Sequence, residues 1–389
     1  MKNYLINTLI VLISFTLTVV SLELLLQIID KPAGFPLDDT GWKCYTPHVS
    51  TNQLGYRGKP VMYNDSDIVV LLLGDSQVEA LACTTDSMPE ALLQNYLSAI
   101  DKRFKVFSVA VSGYGTDLQY LRLKEYFSRY RADYVFLWVT PKNDVTDNTF
   151  PFHPTLNWRK ATFLLQKGQL SGPYKYSYLY QLAMKSKIGL ICHKVIPQNN
   201  SLLASWEKNL PQAYQPAREY NGRYFTDWDW REDNDSLLKQ YFKRENFSNE
   251  LTSYAIYLYP RSPRMQYSVD ITNRLLHNVQ KLCNENNAAF CAFTVEPQTL
   301  EQIRRDSSSV KVQRIENKFY TASGLQYWQN WEDMTHGVPH LAVPLFIENY
   351  RVSKWDAHLN PKANAEAMKT LSDSLQAANV LPAAIKRQK

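Results

Sequence analysis

Cysteine is scarce in this chain, and none of it is clustered. Five residues lie scattered, Cys44, Cys83, Cys192, Cys283 and Cys291, with no C-x-x-C pair among them. That removes support for a cysteine zinc site or a thioredoxin-like redox motif. The odd count leaves at least one free thiol, and spacing alone does not dictate a Cys283–Cys291 bridge. A large excess of one charge is also missing. Lys and Arg number 43 against 37 Asp and Glu, a net +6, with no dense basic block. The short tail from Lys386 to Lys389 is a solvated end. Nucleic acid is therefore not an expected partner. Internal repeats and low-complexity tracts are absent as well. His336 and His340 stand four apart, but Gly337 and Pro339 between them prevent a shared helical face, so no metal is expected.

Hydrophobic residues make up 45% of the 389 and charged residues 21%, an ordinary globular balance rather than a disordered one. Aromatics reach 13%, with 25 Tyr and 9 Trp, enough to line a long groove or to fill a Tyr-rich core. Tyr4–Leu22 carries no charge and is about long enough to cross a bilayer as a helix. Lys2 precedes it, and Glu23, Asp30, Asp38 and Asp39 follow. This asymmetry predicts a cytoplasmic N-terminus and an extracytoplasmic remainder, a single-pass membrane protein. No small-x-small cleavage site follows the run, which argues against a removed signal peptide. No cysteine follows it closely, which argues against a lipid anchor.

The chain is expected to divide into an N-terminal anchor (1–30), a juxtamembrane linker (31–64), a first part of the main domain (65–150), an insertion (151–263) and a second part of the domain (264–389). The linker is rich in Pro, Gly, Asp and Thr. Asp67–Gly74 is an apolar run ending in Gly, the pattern of a central parallel strand buried on both faces. Helical spacing over Met88–Ala99, a strand over Phe104–Val111, a helix over Leu118–Tyr130 and a strand over Asp133–Val139 follow. Strand and helix in alternation predict a parallel α/β sheet. The rhythm breaks from Phe150 to about Pro263. It resumes with a helix over Val269–Asn284, a strand over Ala288–Val295, a further strand near Ala342–Ile347 and a last helix running to about Ala378. Asn360-Pro361 opens that helix, Asn as N-cap and Pro at the first helical position.

Ligands of an open parallel sheet bind beyond the C-terminal ends of its strands. Three strand ends carry unusual residues: Asp75-Ser76, Gly113 and Asn143-Asp144. A serine at a sharp strand-to-helix turn can act as a nucleophile once a base takes its proton. It can equally serve as a helix N-cap. Of seven His, His358 alone stands in Asp-x-His, with Asp356 placed to orient its ring. The backbone N–H groups of Ser76 and Gly113 and the side-chain amide of Asn143 are candidate donors to an oxyanion. Asp144 fits a brace for the Asn143 loop better than a reacting group.

Gly74-Asp75-Ser76, Gly113, Asn143-Asp144, and Asp356 with His358 resemble, in order, the four sequence blocks of the SGNH (GDSL-type) hydrolases. Asn52-Gln-Leu-Gly-Tyr-Arg-Gly58, Ser112-Gly-Tyr-Gly115 and Asp356-Ala-His-Leu-Asn-Pro361 look like the membrane-anchored bacterial members. The resemblance covers about 52–150 and 265–378. It implies a flavodoxin-like three-layer α/β/α sandwich and a Ser76–His358–Asp356 triad. It also implies an oxyanion hole of Ser76, Gly113 and Asn143, with no metal or organic cofactor. Two departures stand out. Asp-x-His replaces the commoner Asp-x-x-His, and looks like the alginate O-acetylation branch. Gln77-Val-Glu-Ala80 replaces the Phe/Tyr-Thr-x-Gly that usually follows the serine.

Three functions are compatible with these residues. The first is hydrolysis of acyl esters, acetyl foremost, on an extracytoplasmic glycan or glycoconjugate. The second is an O-acyltransferase that passes the same acyl-enzyme to a sugar hydroxyl. The third is a non-catalytic glycan-binding or assembly protein. The sequence specifies no protein partner.

Overall fold

The computed structural model describes residues 2–29, 51–151, 159–195, 253–297, 311–315, 318–322, 324–347, 349–353 and 356–381. The first part of the expected linker and most of the expected insertion lie outside them.

In chain order the elements are α1 (Lys2–Ile29), β1 (Ile68–Gly74), α2 (Ser76–Glu79), α3 (Pro89–Ile100), β2 (Phe104–Ala110), α4 (Thr116–Phe127), β3 (Tyr134–Trp138) and α5 (Pro141–Asp147). A hairpin of β4 (Thr162–Gln166) and β5 (Gln169–Tyr174) leads to α6 (Tyr178–Lys185) and α7 (Lys187–Val195). Then come β6 (Leu258–Tyr259), α8 (Pro263–Glu285), β7 (Ala289–Pro297), β8 (Lys311–Ile315), β9 (Lys318–Ala322), α9 (Gly324–Thr335) and β10 (His340–Leu345). The chain closes with β11 (Arg351–Ser353), β12 (Asp356–Leu359) and α10 (Pro361–Ala377).

Five strands form the central sheet in the order β10-β7-β3-β1-β2, all parallel. Counted within the sheet, this is 2-1-3-4-5, the flavodoxin-like order, whose switch point lies between β1 and β3. Both faces of β1 are covered, which is why it reads as an unbroken apolar run. Val69, Leu71 and Leu73 face one layer, with Leu118 and Leu123 of α4, Val269 and Leu276 of α8, and Trp331 of α9. Val70 and Leu72 face the other, with Leu93 and Leu97 of α3 and Ala367, Met368 and Leu371 of α10. Each fully buried Leu or Val contributes about 1.5–3 kcal/mol. The result is a three-layer α/β/α sandwich, the architecture that the resemblance implies, on the parallel sheet that the alternation of elements predicts.

Local signals set the element ends. Ser262 accepts from the N–H of Met265 at 3.1 Å before Pro263, so α8 begins six residues earlier than its apolar periodicity suggests. Asn360 accepts from the N–H of Ala363 at 3.0 Å with Pro361 behind it, the expected cap of α10. The stretch around His358, to which the sequence pattern assigns no element, is β12, paired antiparallel with β11. Residues 51–63 pack onto the domain, with Leu54, Tyr56 and Val61 in its core. Cys83, Cys283 and Cys291 are buried free thiols, and burial pushes Cys283 and Cys291 up to about 12. Cys44 lies outside the described residues. α1 is long and apolar enough to cross a membrane over Tyr4–Ile28, and none of that span is buried in the protein.

Candidate active site

Register brings three loops to one edge. β1 pairs Gly74 with Ala110 of β2 and Leu73 with Leu137 of β3. The turns after these strands therefore leave the sheet side by side, at its switch point.

Ser76 is the first residue of α2, directly after β1. Asp75, not Ser76, caps that helix: its Oδ1 accepts from the N–H of Gln77 at 2.9 Å. This removes capping as the explanation of Ser76, whose hydroxyl has no hydrogen bond among the described residues. The turn is tight enough that a Cβ on Gly74 would fall 2.3 Å from Val78 Cγ2. α2 ends after one turn at Ala80, held at φ +47°. A non-glycine residue in that region costs about 1–2 kcal/mol. Arg57 offsets it by donating from Nη1 to the carbonyls of Glu79 and Ala80 and from Nη2 to that of Cys83. Asn52 in turn accepts from the N–H groups of Leu54 and Tyr56, shaping the turn that aims Arg57. The Asn52–Gly58 motif thus clamps the far side of the serine turn.

Gly113 follows β2 at φ +80°, a conformation few side chains tolerate. Its loop is tied to α2 by Glu79. One Glu79 oxygen accepts from the Ser112 N–H at 2.7 Å and the Ser112 hydroxyl at 2.5 Å. The unusual glutamate three residues after the serine is therefore buried and turned toward the Gly113 loop.

Asn143 lies in the first turn of α5, which Pro141 opens. Its Nδ2 donates to Asp75 Oδ2 at 3.2 Å, engaging one of its two amide hydrogens and leaving the other without a partner among the described residues. Asp144 is buried and accepts from the Thr140 N–H, the Thr116 N–H and the Thr116 hydroxyl at 2.8–2.9 Å. Burial, and secondarily the Asp75 carboxylate, raise Asp144 to about 7. Burial also raises Asp75, against hydrogen bonds from the Gln77 N–H and the Asn143 amide.

His358 is held by Asp356 twice. Its Nδ1 lies 2.5 Å from Asp356 Oδ1, and its backbone N–H donates to the same oxygen at 3.0 Å. An acceptor at Nδ1 places the proton of the neutral ring there and leaves Nε2 free to accept. The imidazole is 39% exposed, within reach of a bound substrate. Gln77, the other unusual residue after Ser76, accepts from the N–H of Leu359 at 3.3 Å and joins β12 to the serine turn. Ser76 and His358 are thus brought to one place without a hydrogen bond between them. Such pairs often tighten only with substrate.

Sequence patterns do not reveal the layer behind these loops. Asp117 and Lys160 form an ion pair with both side chains fully buried. The Asp117 N–H donates to Asn148 Oδ1 at 3.0 Å, and Asn148 Nδ2 donates to Thr272 at 2.9 Å. Asp147 is raised well above its usual range, first by burial, with the Lys160 charge opposing it. Lys160 comes from the segment read as an insertion, yet it anchors the start of α4 beside Thr116. A lone buried lysine in a polar stretch gives no periodic signal, so the sequence offers no warning of it.

His340 Nδ1 lies 2.9 Å from the Val338 carbonyl, and its Nε2 lies 3.4 Å from Glu332. The His336 carbonyl faces Asn273 and His277. Among the described residues no group of three metal-ligating side chains occurs.

No protein-family model matches the chain, and no curated protein does. Among solved structures, one described as an arylesterase of Agrobacterium tumefaciens C58 is 11% identical, with a TM-score of 0.34. That alignment covers 80% of this chain and 99% of the other. The psychrotrophic esterase EstA of a Pseudoalteromonas species is 12% identical, with a TM-score of 0.33, over 81% of this chain and all of its own. Likeness at this level carries no chemistry, so function rests on the site's own residues.

Proposed function

We propose that this protein is a membrane-anchored serine esterase of the SGNH type. Ser76 is its nucleophile, His358 the general base and Asp356 the group that orients His358. The observation that carries this reading is the 2.5 Å Asp356–His358 contact on a strand that Gln77 joins to the Ser76 turn. Nε2 of His358 accepts the Ser76 proton as Oγ attacks an ester carbonyl. The tetrahedral oxyanion takes hydrogen bonds from the Ser76 and Gly113 N–H groups and the free amide hydrogen of Asn143. His358 returns the proton to the departing alcohol. Water, deprotonated by the same ring, then releases the acid and restores Ser76. The substrate is an acyl ester, acetyl foremost, on an extracytoplasmic glycan or glycoconjugate. α1 holds the domain at the outer face of the membrane, with the N-terminus in the cytoplasm. The same acyl-enzyme serves an O-acyltransferase if a sugar hydroxyl outcompetes water. Asp-x-His in place of Asp-x-x-His keeps that second reading open.

The direct test is labelling of the full-length protein in detergent with a fluorophosphonate, mapped by mass spectrometry. Adduct on Ser76, lost in His358→Ala, supports the reading. Label on another residue, or none, overturns it. Hydrolysis of p-nitrophenyl acetate, with and without a glycan acceptor, separates esterase from transferase.

Two further outcomes are expected. Asn143→Ala removes one oxyanion donor, so kcat falls about 10²–10³-fold with KM changed little. Steady-state kinetics check this; a KM effect alone would make Asn143 a binding residue. Glu79→Ala frees the Ser112–Gly113 loop, and kcat falls about 10–100-fold, in line with the cost of small misplacements. Glu79→Gln keeps an acceptor oxygen and recovers most of that loss. Equal kcat in both variants and the wild type would deny Glu79 a positioning role.

A further inference from the structure

The α6–α7 segment has features that the catalytic reading does not use. One side of α6 is held by the domain. Met184 is buried in its core, and the Tyr180 hydroxyl accepts from the Arg159 N–H at 3.1 Å. The other side presents Tyr178, Leu179 and Leu182, 68%, 76% and 45% exposed, and α7 adds Ile191 at 50%. Large apolar side chains gathered on two successive short helices mark an interaction surface.

The start of α7 is fastened to the anchor helix. The Glu23 carboxylate accepts from the N–H of Lys187 at 2.7 Å and of Ile188 at 3.0 Å. An anion there satisfies the free N–H groups of a helix start and its positive dipole end. From Tyr4 to Glu23 the helix rises about 30 Å, the thickness of a bilayer's hydrocarbon core. Glu23, and α7 with it, therefore stands at the level of the outer headgroups when α1 spans. Charge agrees with that position. From Ala161 to Trp206 the sequence holds five Lys and no Asp or Glu.

We propose that α6 and α7 lie in the headgroup layer of an anionic phospholipid bilayer, with Leu179, Leu182 and Ile191 at the acyl boundary. Tyr178 takes the interfacial position that aromatic residues favour, and the segment's net positive charge suits an anionic surface. The segment is thus a second membrane contact that fixes the domain's tilt above the surface, where a single helix would leave it free to swivel. This rests on α1 crossing the bilayer and is independent of the catalytic reading.

The test uses full-length protein in phosphatidylcholine nanodiscs, with and without phosphatidylglycerol, each doped with a diazirine-bearing acyl lipid. Labelled peptides are mapped after illumination. Label at 4–28 reports the anchor separately. The expected result is additional label within 174–192, several-fold stronger with phosphatidylglycerol. That label is lost in Leu179→Glu/Leu182→Glu and weakened in Ile191→Glu, while label at 4–28 persists. Label at 4–28 without label at 174–192 overturns the proposal and points to a protein or glycan occupant. Equal label with and without phosphatidylglycerol overturns the anionic surface. Absence of label at 4–28 removes the anchor, and the docked segment with it.

Discussion

Ser76→Ala is expected to lower kcat for p-nitrophenyl acetate about 10⁴–10⁶-fold, with His358→Ala falling equally far. The reason is chemical. A serine hydroxyl attacks an ester poorly until a base removes its proton, so nucleophile and base act as one unit. Ser76→Ala/His358→Ala is therefore expected to be no worse than either single variant. Asp356→Ala is milder, about 10⁴-fold, because His358 remains while its orientation and tautomer are lost. KM stays within a few-fold throughout, since none of the three has to hold the acyl group. Background rates in all variants and wild type alike would leave no esterase, and the transferase reading would then have to be tested with its own donor. Full activity in Ser76→Ala would end the triad assignment.

Asp117→Ala is expected to cost about 3–5 kcal/mol of stability, because it strands a charge in a fully buried site. For a domain of this size that corresponds to a fall in Tm of about 6–20 °C. Lys160 has no exposed route by which to rehydrate, and its remaining acidic neighbour, Asp147, is already pushed by burial toward its neutral form. Asp117→Leu/Lys160→Met replaces both charges with apolar groups. It is expected to recover most of the loss, since desolvation offsets much of what the intact pair contributes. Thermal melting of the three proteins decides the matter. A double variant as unstable as Asp117→Ala would mean that shape, not charge, sets the cost. Kinetics on the same proteins add a second reading. The pair holds the start of α4, next to the Thr116 contacts of Asp144, so kcat is expected to fall at temperatures well below melting.

Much of the fold was legible because it rests on local chemistry and short-range periodicity. A run such as Ile68–Leu73 admits a strand covered on both faces and little else. Asn360-Pro361 writes its own helix start. The β12 strand was missed for the opposite reason. Four residues paired with three have too short a pattern to show period two, and their pairing partner, not their sequence, makes them a strand.

The site divides the same way. Gly74-Asp75-Ser76, Gly113, Asn143 and the Asp356/His358 pair are each legible as candidates, because nucleophilic chemistry would restrict residue type and the first three stand at strand ends set by the α/β alternation. How they are held was not visible. The sequence leaves Ser76 open as an N-cap, and only the tertiary structure assigns the cap to Asp75. In sequence Glu79 and Gln77 stand only as departures from the family pattern beside Ser76. One reaches the Ser112 loop and the other reaches Leu359, 282 residues away. Arg57, in a motif that composition assigned to a linker, closes the turn behind Ser76.

The sequence by itself determined the sheet, its covered faces, the apolar N-terminal helix and the candidate residue types at the strand ends, since each depends on hydrophobic period or on chemistry local to a few residues. Only the tertiary structure decided which carboxylate caps, which one braces and which lysine is buried. Those roles depend on where a polar group is cut off from water, and that is fixed by packing between segments far apart in the chain.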